Sequence, residues 1–223
     1  MADIQDMLAT SGDHQAMAPY WQKVSDITSG VEALRRRNKA YLPQFPNESE
    51  DNYKYRNANS KFTDIFSDIV ESLASKPFSR EAGLAGGSVP DSVIRFVEDV
   101  DRAGNYLHVF AHDVFYAGIA TAIDWTLVDH TRLPGGATLA AERRLGSRPY
   151  WLRISAQDML AVYSAAIGGS ELFYYVKINE TYTLMEDGEE SVIPRVRLLI
   201  RDPIEDEETG ITIGYAPARF EIW

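Results

Sequence analysis

The spacing of apolar residues changes near Gly118, and this change constrains the fold more than any other feature. Before Gly118, apolar side chains recur every three or four residues, as they do on the buried side of an α-helix. After it they alternate with polar residues, as in a strand with one buried face. The sequence therefore predicts an α+β fold in which about four helices precede a small antiparallel sheet.

The first two predicted helices lie before residue 77. The first runs from Pro19 to Asn38, with Pro19 in its first turn and the basic run Arg35 to Arg37 near its C-terminal end. The second begins near Asn47, which can cap it, runs for roughly seven turns and stops at Lys76-Pro77. Its predicted core-facing stripe consists of Tyr55, Phe62, Ile65, Ile69 and Leu73.

A glycine-containing loop over residues 81–88 separates these helices from the next two. Pro90 begins the third predicted helix, which ends by Gly104, and Asn105 is placed to cap the fourth. The residues of the fourth helix expected in the core are Leu107, Phe110, Val114 and Ala117.

The second half is predicted to be mostly extended. Residues 119–128 begin an extended region, Pro134-Gly135-Gly136 marks an exposed loop, and residues 138–146 form a short helix. A strand at 150–154 precedes a single turn at 157–159.

Strands follow at 171–180, 195–201 and 211–215. The tracts 186–190 and 202–210 are acidic turns, and such short connections favour an antiparallel meander.

Three regions follow from this pattern. Residues 1–18 are expected to be a flexible N-terminal segment, 19–118 a helical region and 119–223 a β-rich region. The chain ends on the apolar, strand-like run Phe220 to Trp223, whereas native termini are commonly polar. We therefore expect the β-rich region to be truncated at its C-terminal end.

Composition limits the classes of function. The formal net charge of −11 argues against a general electrostatic grip on nucleic acid. The chain has no cysteine, which excludes disulfides, thiolate catalysis and cysteine-ligated zinc. Residues 1–10 lack a signal-peptide pattern, and no apolar stretch is long enough to predict a membrane span.

Two histidines provide the strongest indication of a metal site. His108 and His112 lie four residues apart on the fourth predicted helix, so their rings share a face. The general-base glutamate of the HExxH motif is absent, and a third ligand would have to be Asp124, Asp129 or His130. The simpler interpretation, a half-buried polar stripe, is favoured.

An acid–base cluster is a weaker hypothesis. Asp124, Asp129 and His130 could act together with Arg132, but two residues five apart on a strand point to opposite faces. Nucleophile and phosphate-binding patterns are also missing. Gly168-Gly169-Ser170 is not a nucleophile elbow, and the glycines at 83–87 have no strand before them and no Lys-Ser/Thr after them.

One compact basic run stands out, at Arg35 to Arg37 with Lys39. It is interpreted first as matching the helix dipole on a solvated face, and alternatively as a contact with DNA or an acidic partner. The acidic turns at 186–190 and 205–208 are expected to face water, and could also form a surface to which DNA does not adhere.

Several segments occur in the order of one known family. A Trp-containing helix start at 19–21 leads to Tyr41-Leu42-Pro43, and a second helix over 55–78 ends in Lys-Pro-Phe. The stretch 100–111 carries the pattern Asp-x-x-Gly-x-x-Leu-x-x-Phe-Ala. Segments 118–125, 148–160 and the strands at 171–180 and 195–201 continue the order, although Ile119 stands where an arginine is expected. Over residues 19–201 the chain resembles the tailed-bacteriophage portal proteins.

The resemblance implies a structural role without catalysis. Portal subunits form a homo-oligomeric ring, usually of twelve copies, at one vertex of the capsid in the virion, after synthesis in the host bacterial cytoplasm. Viral DNA passes through the ring during packaging and ejection. The ring contacts the major capsid protein and docks the terminase and then the head–tail adaptor, with no membrane involved.

Portals are about twice as long as this chain, so the resemblance assigns it the helical start and the peripheral wing. The stem, tunnel loop, clip and crown would lie in the missing part. No catalytic, cofactor-binding or metal-binding residue is carried over, and no cofactor is expected. Trp21 and Trp223, which have no evident core role in the sequence, are expected at subunit contacts. The alternatives are a metal-dependent hydrolase using His108 and His112, and a stand-alone α+β interaction module.

Overall fold

A computed structural model describes residues 4–131, 136 and 138–223 of the chain. The chain divides into two compact units. The helical unit is Tyr20–Arg153, and the sheet unit combines Met1–Pro19 with Ile154–Trp223. The predicted α+β class is confirmed, with most helices in the first half and strands after them. None of the helices in the described ranges is long and apolar enough to cross a membrane.

The helices are short. They are α1 (Ile4–Met7), α2 (Gly12–Thr28), α3 (Val31–Arg36), α4 (Glu50–Asn59), α5 (Ile65–Ser75), α6 (Asp91–Val97), α7 (Leu107–Thr121) and α8 (Leu139–Arg144), with 3-10 turns at Asn38–Ala40 and Pro77–Ser79. The strands are β1 (Trp125–His130), β2 (Pro149–Ile154), β3 (Met159–Ile167), β4 (Ser170–Asn179), β5 (Tyr182–Glu186), β6 (Glu189–Ile193), β7 (Val196–Ile200), β8 (Pro203–Glu205), β9 (Thr212–Tyr215) and β10 (Arg219–Ile222).

The first predicted helix is two helices with different boundaries. α2 begins at Gly12, so Pro19 lies inside it and the prediction of a helix start there is wrong. The helix is interrupted at Gly30, whose φ of 81° is in the left-handed region that glycine adopts without a steric penalty. α3 then carries Arg35 and Arg36 in its last turn, as predicted.

The second predicted helix is also interrupted. α4 is capped by Ser49, not Asn47, because the Ser49 hydroxyl accepts a hydrogen bond from the Asn52 amide (3.3 Å). α5 has its own cap, since a carboxylate oxygen of Asp64 accepts from the Ser67 amide (2.9 Å). Local capping therefore replaces one continuous helix by two helices of 10 and 11 residues.

The third and fourth helices lie close to their predicted places. α6 begins after Pro90 as predicted but ends at Val97, ahead of Gly104. Asn105 does not cap α7, because its side chain instead donates to Asp101 (2.7 Å). α7 continues through Gly118 to Thr121, so the extended region predicted from residue 119 begins later, at β1.

The main sheet has the order β10-β7-β4-β3, and all of its neighbours are antiparallel. β4 and β7 pair as the predicted meander requires, but the third predicted strand, 211–215, is β9, which pairs with β8 in a separate hairpin, and β10 lies next to β7 instead. A second hairpin, β5–β6, is inserted between β4 and β7. The acidic tract 186–190 contains the turn of the β5–β6 hairpin, where Asp187 (φ 51°) and Gly188 (φ 83°) both take left-handed conformations. Strand β3 was not predicted.

The sheet unit has an aliphatic core. Leu160, Val196 and Leu198 are buried together, and Met7 and Leu8 pack against them. Residues 4–18, expected to be flexible, therefore include α1 and the start of α2 and contribute to this core. The division of the chain after Arg153 also differs from the expected boundary at residue 118.

The segment between β1 and β3 agrees with the sequence where it is described. α8 lies within the predicted short helix, and β2 contains the predicted strand at 150–154. Backbone amides at 158 and 159 donate to the Ser155 carbonyl (3.1 and 3.2 Å) in the predicted turn. Apart from Gly136, the predicted loop at 134–136 lies outside the described residues.

Candidate interaction surface

Helix α5 exposes a row of aliphatic side chains. Ile65, Ile69 and Leu73 are 62%, 54% and 44% exposed, and their spacing of four residues places them on one side of the helix. The buried residues of the helix are Val70 and Ala74. We call Ile65, Ile69 and Leu73 the α5 stripe. The prediction that these residues face the core is therefore wrong.

The opposite side of α5 explains this outcome. Ala74 is fully buried, and its small side chain lets α5 pack closely against α7. α5 therefore has apolar residues on two sides, and the smaller ones make the internal contact. Spacing alone does not distinguish the two sides, because both have helical periodicity.

The C-terminal end of α5 is anchored by an aromatic side chain in the 3-10 turn that follows. The ring of Phe78 lies 5.4 Å from the ring centres of both His108 and His112, and 5.8 Å from that of Phe115. These contacts tie the turn to α7. The α5 stripe is thus presented by a helix that is fixed along its buried side and at its end.

The two histidines lie together, as the helical spacing predicts, but Phe78 packs against both rings at a pocket of about 390 Å³. Nδ1 of His108 accepts a hydrogen bond from the Ala82 amide (2.9 Å). The neutral ring then carries its hydrogen on Nε2, so neither nitrogen offers a free lone pair to a metal. Nδ1 of His112 lies 3.5 Å from Oδ1 of Asp113.

The residues considered as third metal ligands form hydrogen bonds with groups other than the two histidines. Asp124 accepts a 2.6 Å hydrogen bond from Arg153, and Asp129 accepts one from the Tyr150 hydroxyl (3.3 Å). His130 contacts the carbonyl of residue 131 (3.0 Å). Within the described ranges, no group of three His, Asp or Glu side chains is arranged to hold a metal ion. Arg132 lies outside the described residues.

The environment of Asp124 is unusual. Its side chain is only 2% exposed, and its Oδ1 has no hydrogen-bond partner among the described residues. Burial raises the pKa of Asp124, and the single hydrogen bond from Arg153 offsets this only in part.

The basic run at 35–39 serves mainly to join segments of the helical unit. Arg35 donates to the Ser60 carbonyl (2.5 Å) and pairs with Glu32. Lys39 pairs with Glu50 at 2.9 Å. These contacts favour a structural role for the run, beyond matching the helix dipole.

Arg37 belongs to a polar cluster around the buried Asp26, which was not predicted from the sequence. The Asp26 carboxylate accepts hydrogen bonds from Arg37 (2.9 Å), the Tyr41 hydroxyl (2.9 Å) and Gln22 (3.0 Å). Burial raises the pKa of Asp26, but these hydrogen bonds outweigh burial and leave the pKa below its ordinary value. The only signal in the sequence is an aspartate inside a helical pattern, which normally indicates an exposed position.

The remaining polar segments lie where the sequence predicts them. Residues 186–190 are all exposed, as expected for an acidic turn. At the second acidic turn, Oδ1 of Asp206 accepts from the amide and the hydroxyl of Thr209 (both 2.8 Å). Gly168 and Gly169, with φ values of 59° and 82°, form the turn between β3 and β4.

The two tryptophans differ. Trp21 is buried, and its indole nitrogen donates to the Thr121 carbonyl (2.9 Å). The expectation that Trp21 lies at a subunit contact is therefore wrong, because it belongs to the core of the helical unit. Trp223 is partly exposed, and its backbone forms two hydrogen bonds with Val196 (both 3.0 Å).

No family model matches the chain, and a comparison with curated proteins finds no similar sequence.

Proposed function

We propose that this chain is a structural subunit of a phage portal ring, through which viral DNA is packaged and ejected. The proposal is supported by the ordered segments over residues 19–201 that resemble portal proteins, and by the α+β arrangement that this resemblance implies. In this role the chain acts by shape: identical subunits stand side by side and enclose a passage.

The observation that carries the proposal is the α5 stripe. Each isoleucine or leucine that becomes buried at an interface contributes about 1.5–3 kcal/mol, so three in a row are a substantial source of binding energy. Exposed apolar rows of this kind mark contacts with other proteins. Here the proposed partner is the neighbouring copy in the ring.

A ring requires two different surfaces on each subunit, because one copy meets the next head to tail. The α5 stripe would form one of these surfaces. The proposed further partners are the major capsid protein, the terminase and the head–tail adaptor. The net charge of −11 favours passage of DNA without general adhesion.

Sedimentation velocity of the protein expressed from its complete reading frame tests the proposal. The wild type is expected to sediment as one large assembly. Ile69→Asp places a charge in the middle of the α5 stripe and should weaken self-association about tenfold or more, because the charge would be buried at the contact.

Val128→Asp is the matched control. Val128 is an exposed apolar residue of the same unit on β1, so the variant carries the same added charge away from α5. It should assemble like the wild type. A wild type that remains monomeric, or an Ile69→Asp variant that assembles as well as Val128→Asp, would refute the proposal.

A further inference from the structure

The sheet unit contains a pocket of about 420 Å³ that is lined by three tyrosines and a lysine. The lysine, Lys177, is on β4, where it pairs with Ala161 of β3 and Leu198 of β7. The pocket opens beside Tyr163, which is half exposed. The lining residues are Ala9, Thr10, Ser11, Ala161, Tyr163, Tyr174, Tyr175 and Lys177.

Lys177 is buried without a carboxylate partner. It is 9% exposed, and its ammonium group donates one hydrogen bond, to the Ala9 carbonyl (2.9 Å). No ion pair involves it in the described part of the chain. An ammonium group carries three donors, and lysine is seldom buried unless its charge is paired. Burial lowers the pKa of Lys177.

The acidic group that lies close to Tyr175 is already paired. Glu221 of β10 is close enough to influence Tyr175. Its carboxylate is engaged by Arg219, and it also accepts from the indole nitrogen of Trp223 (3.3 Å). Lys177 therefore remains the positive group of the pocket.

The tyrosines supply flat walls and further donors. The ring of Tyr163 lies 5.9 Å from that of Tyr175 and 6.3 Å from that of Tyr174. Among the described residues, none of these three hydroxyls has a protein hydrogen-bond partner. Burial raises the pKa of Tyr175, which keeps its hydroxyl protonated and able to donate.

We propose that this pocket binds a carboxylate group attached to a flat apolar body. The Lys177 ammonium and the Tyr175 hydroxyl donate to the carboxylate oxygens, and the tyrosine rings pack against the apolar part of the ligand. The carboxylate comes either from a small molecule or from an acidic side chain of a protein. The site does not depend on the proposed ring.

Titration calorimetry with benzoate tests this site, and benzamide is the neutral control of the same shape. Benzoate is expected to bind and benzamide is not. Lys177→Met removes the charge and keeps the length of the side chain, and it should weaken benzoate binding about 10- to 100-fold. Lys61→Met, at an exposed lysine, should bind like the wild type.

Tyr175→Phe provides a second variant that keeps the ring and removes only the hydroxyl. It should weaken benzoate binding about threefold to tenfold. Thermal unfolding of each variant shows whether the fold is intact. If Lys177→Met does not fold, the comparison of Tyr175→Phe with the wild type decides the question.

A peptide that copies residues 184–192, the acidic hairpin of this chain, distinguishes the two sources of the carboxylate. Displacement of benzoate by the peptide favours an acidic protein side chain as the source of the carboxylate, and benzoate binding without displacement favours a small molecule. The proposal is overturned if benzoate binds no better than benzamide, or if both Lys177→Met and Tyr175→Phe leave benzoate binding unchanged.

Discussion

The helical unit and the sheet unit are held together by different interactions. In the sheet unit, a four-stranded antiparallel sheet carries the aliphatic core of Leu160, Val196 and Leu198, and Ile178 of β4 is almost fully buried as well. In the helical unit, short helices are joined by polar side chains that bond across long stretches of sequence. Examples are Trp21 with the Thr121 carbonyl and Arg148 with Asp99, the latter at 2.7 Å.

This difference determines which side chains matter for folding. A sheet takes its geometry from backbone hydrogen bonds, so its side chains contribute mainly by filling the core. Short helices are only marginally stable in isolation, so specific contacts between them are needed to maintain their arrangement. We therefore expect loss of a core methyl group to be most damaging in the sheet unit, and loss of a single charge in the helical unit.

Ile178→Ala should produce the largest effect. Ile178 is 1% exposed in the sheet unit, and truncating a buried isoleucine to alanine costs about 2–5 kcal/mol of the free energy of unfolding. Chemical denaturation measures this cost. Ile204→Ala, at an exposed position on the β8–β9 hairpin, should cost less than about 1 kcal/mol. Equal costs for the two variants would show that the main sheet does not depend on its core.

Asp26→Ala should produce the next largest effect, in the helical unit. The substitution leaves Arg37 and Tyr41 without their acceptor, at a cost of about 2–3 kcal/mol. Chemical denaturation at neutral pH measures the cost. Glu207→Ala, at an exposed loop residue of the sheet unit, is the control and should change stability by less than about 0.5 kcal/mol.

The cost of Asp26→Ala should also depend on pH. The pKa of Asp26 is lowered in the folded protein, so its carboxylate stabilises the fold above the unfolded pKa of about 3.9. That contribution is lost as the pH falls through the lower, folded pKa. A difference between variant and wild type that grows towards acid pH would contradict the hydrogen-bonded cluster.

Asp124→Asn should produce the smallest effect, with the opposite dependence on pH. The pKa of Asp124 is raised in the folded protein, so the stability gained by protonation is fully present below the unfolded pKa and is lost as pH rises through the folded pKa. Asparagine does not ionise. The variant should therefore be more stable relative to the wild type at pH 7 than at pH 3, as measured by denaturation at both values. A stability difference between the variant and the wild type that is the same at both pH values would show that burial does not raise the pKa of Asp124.

The two units also differ in how well their sequences predict them. Alternating residues and short turns predicted β4, β7 and the turn at Asp187-Gly188, because strand period and turn chemistry are local properties. Strand β3 was not predicted because the residues from Ala161 to Ala166 do not clearly alternate between apolar and polar side chains. In the helical unit, the caps at Ser49 and Asp64 split one predicted helix into two.

The candidate surface was harder to predict than the fold. The α5 stripe has the spacing of a core face, and only the fully buried Ala74 on the other side of the helix shows which side packs inward. The Asp26 cluster and the pocket at Lys177 depend on residues that are far apart in sequence. Lys177 and Ala9 are separated by 168 positions, a contact that no local pattern indicates.

Electron microscopy of the protein purified from its complete reading frame tests the proposed function most directly. Particle images should show closed rings of uniform diameter with one rotational symmetry and a central opening. Compact particles of one or two copies at all concentrations, or open filaments of variable length, would contradict the proposed ring.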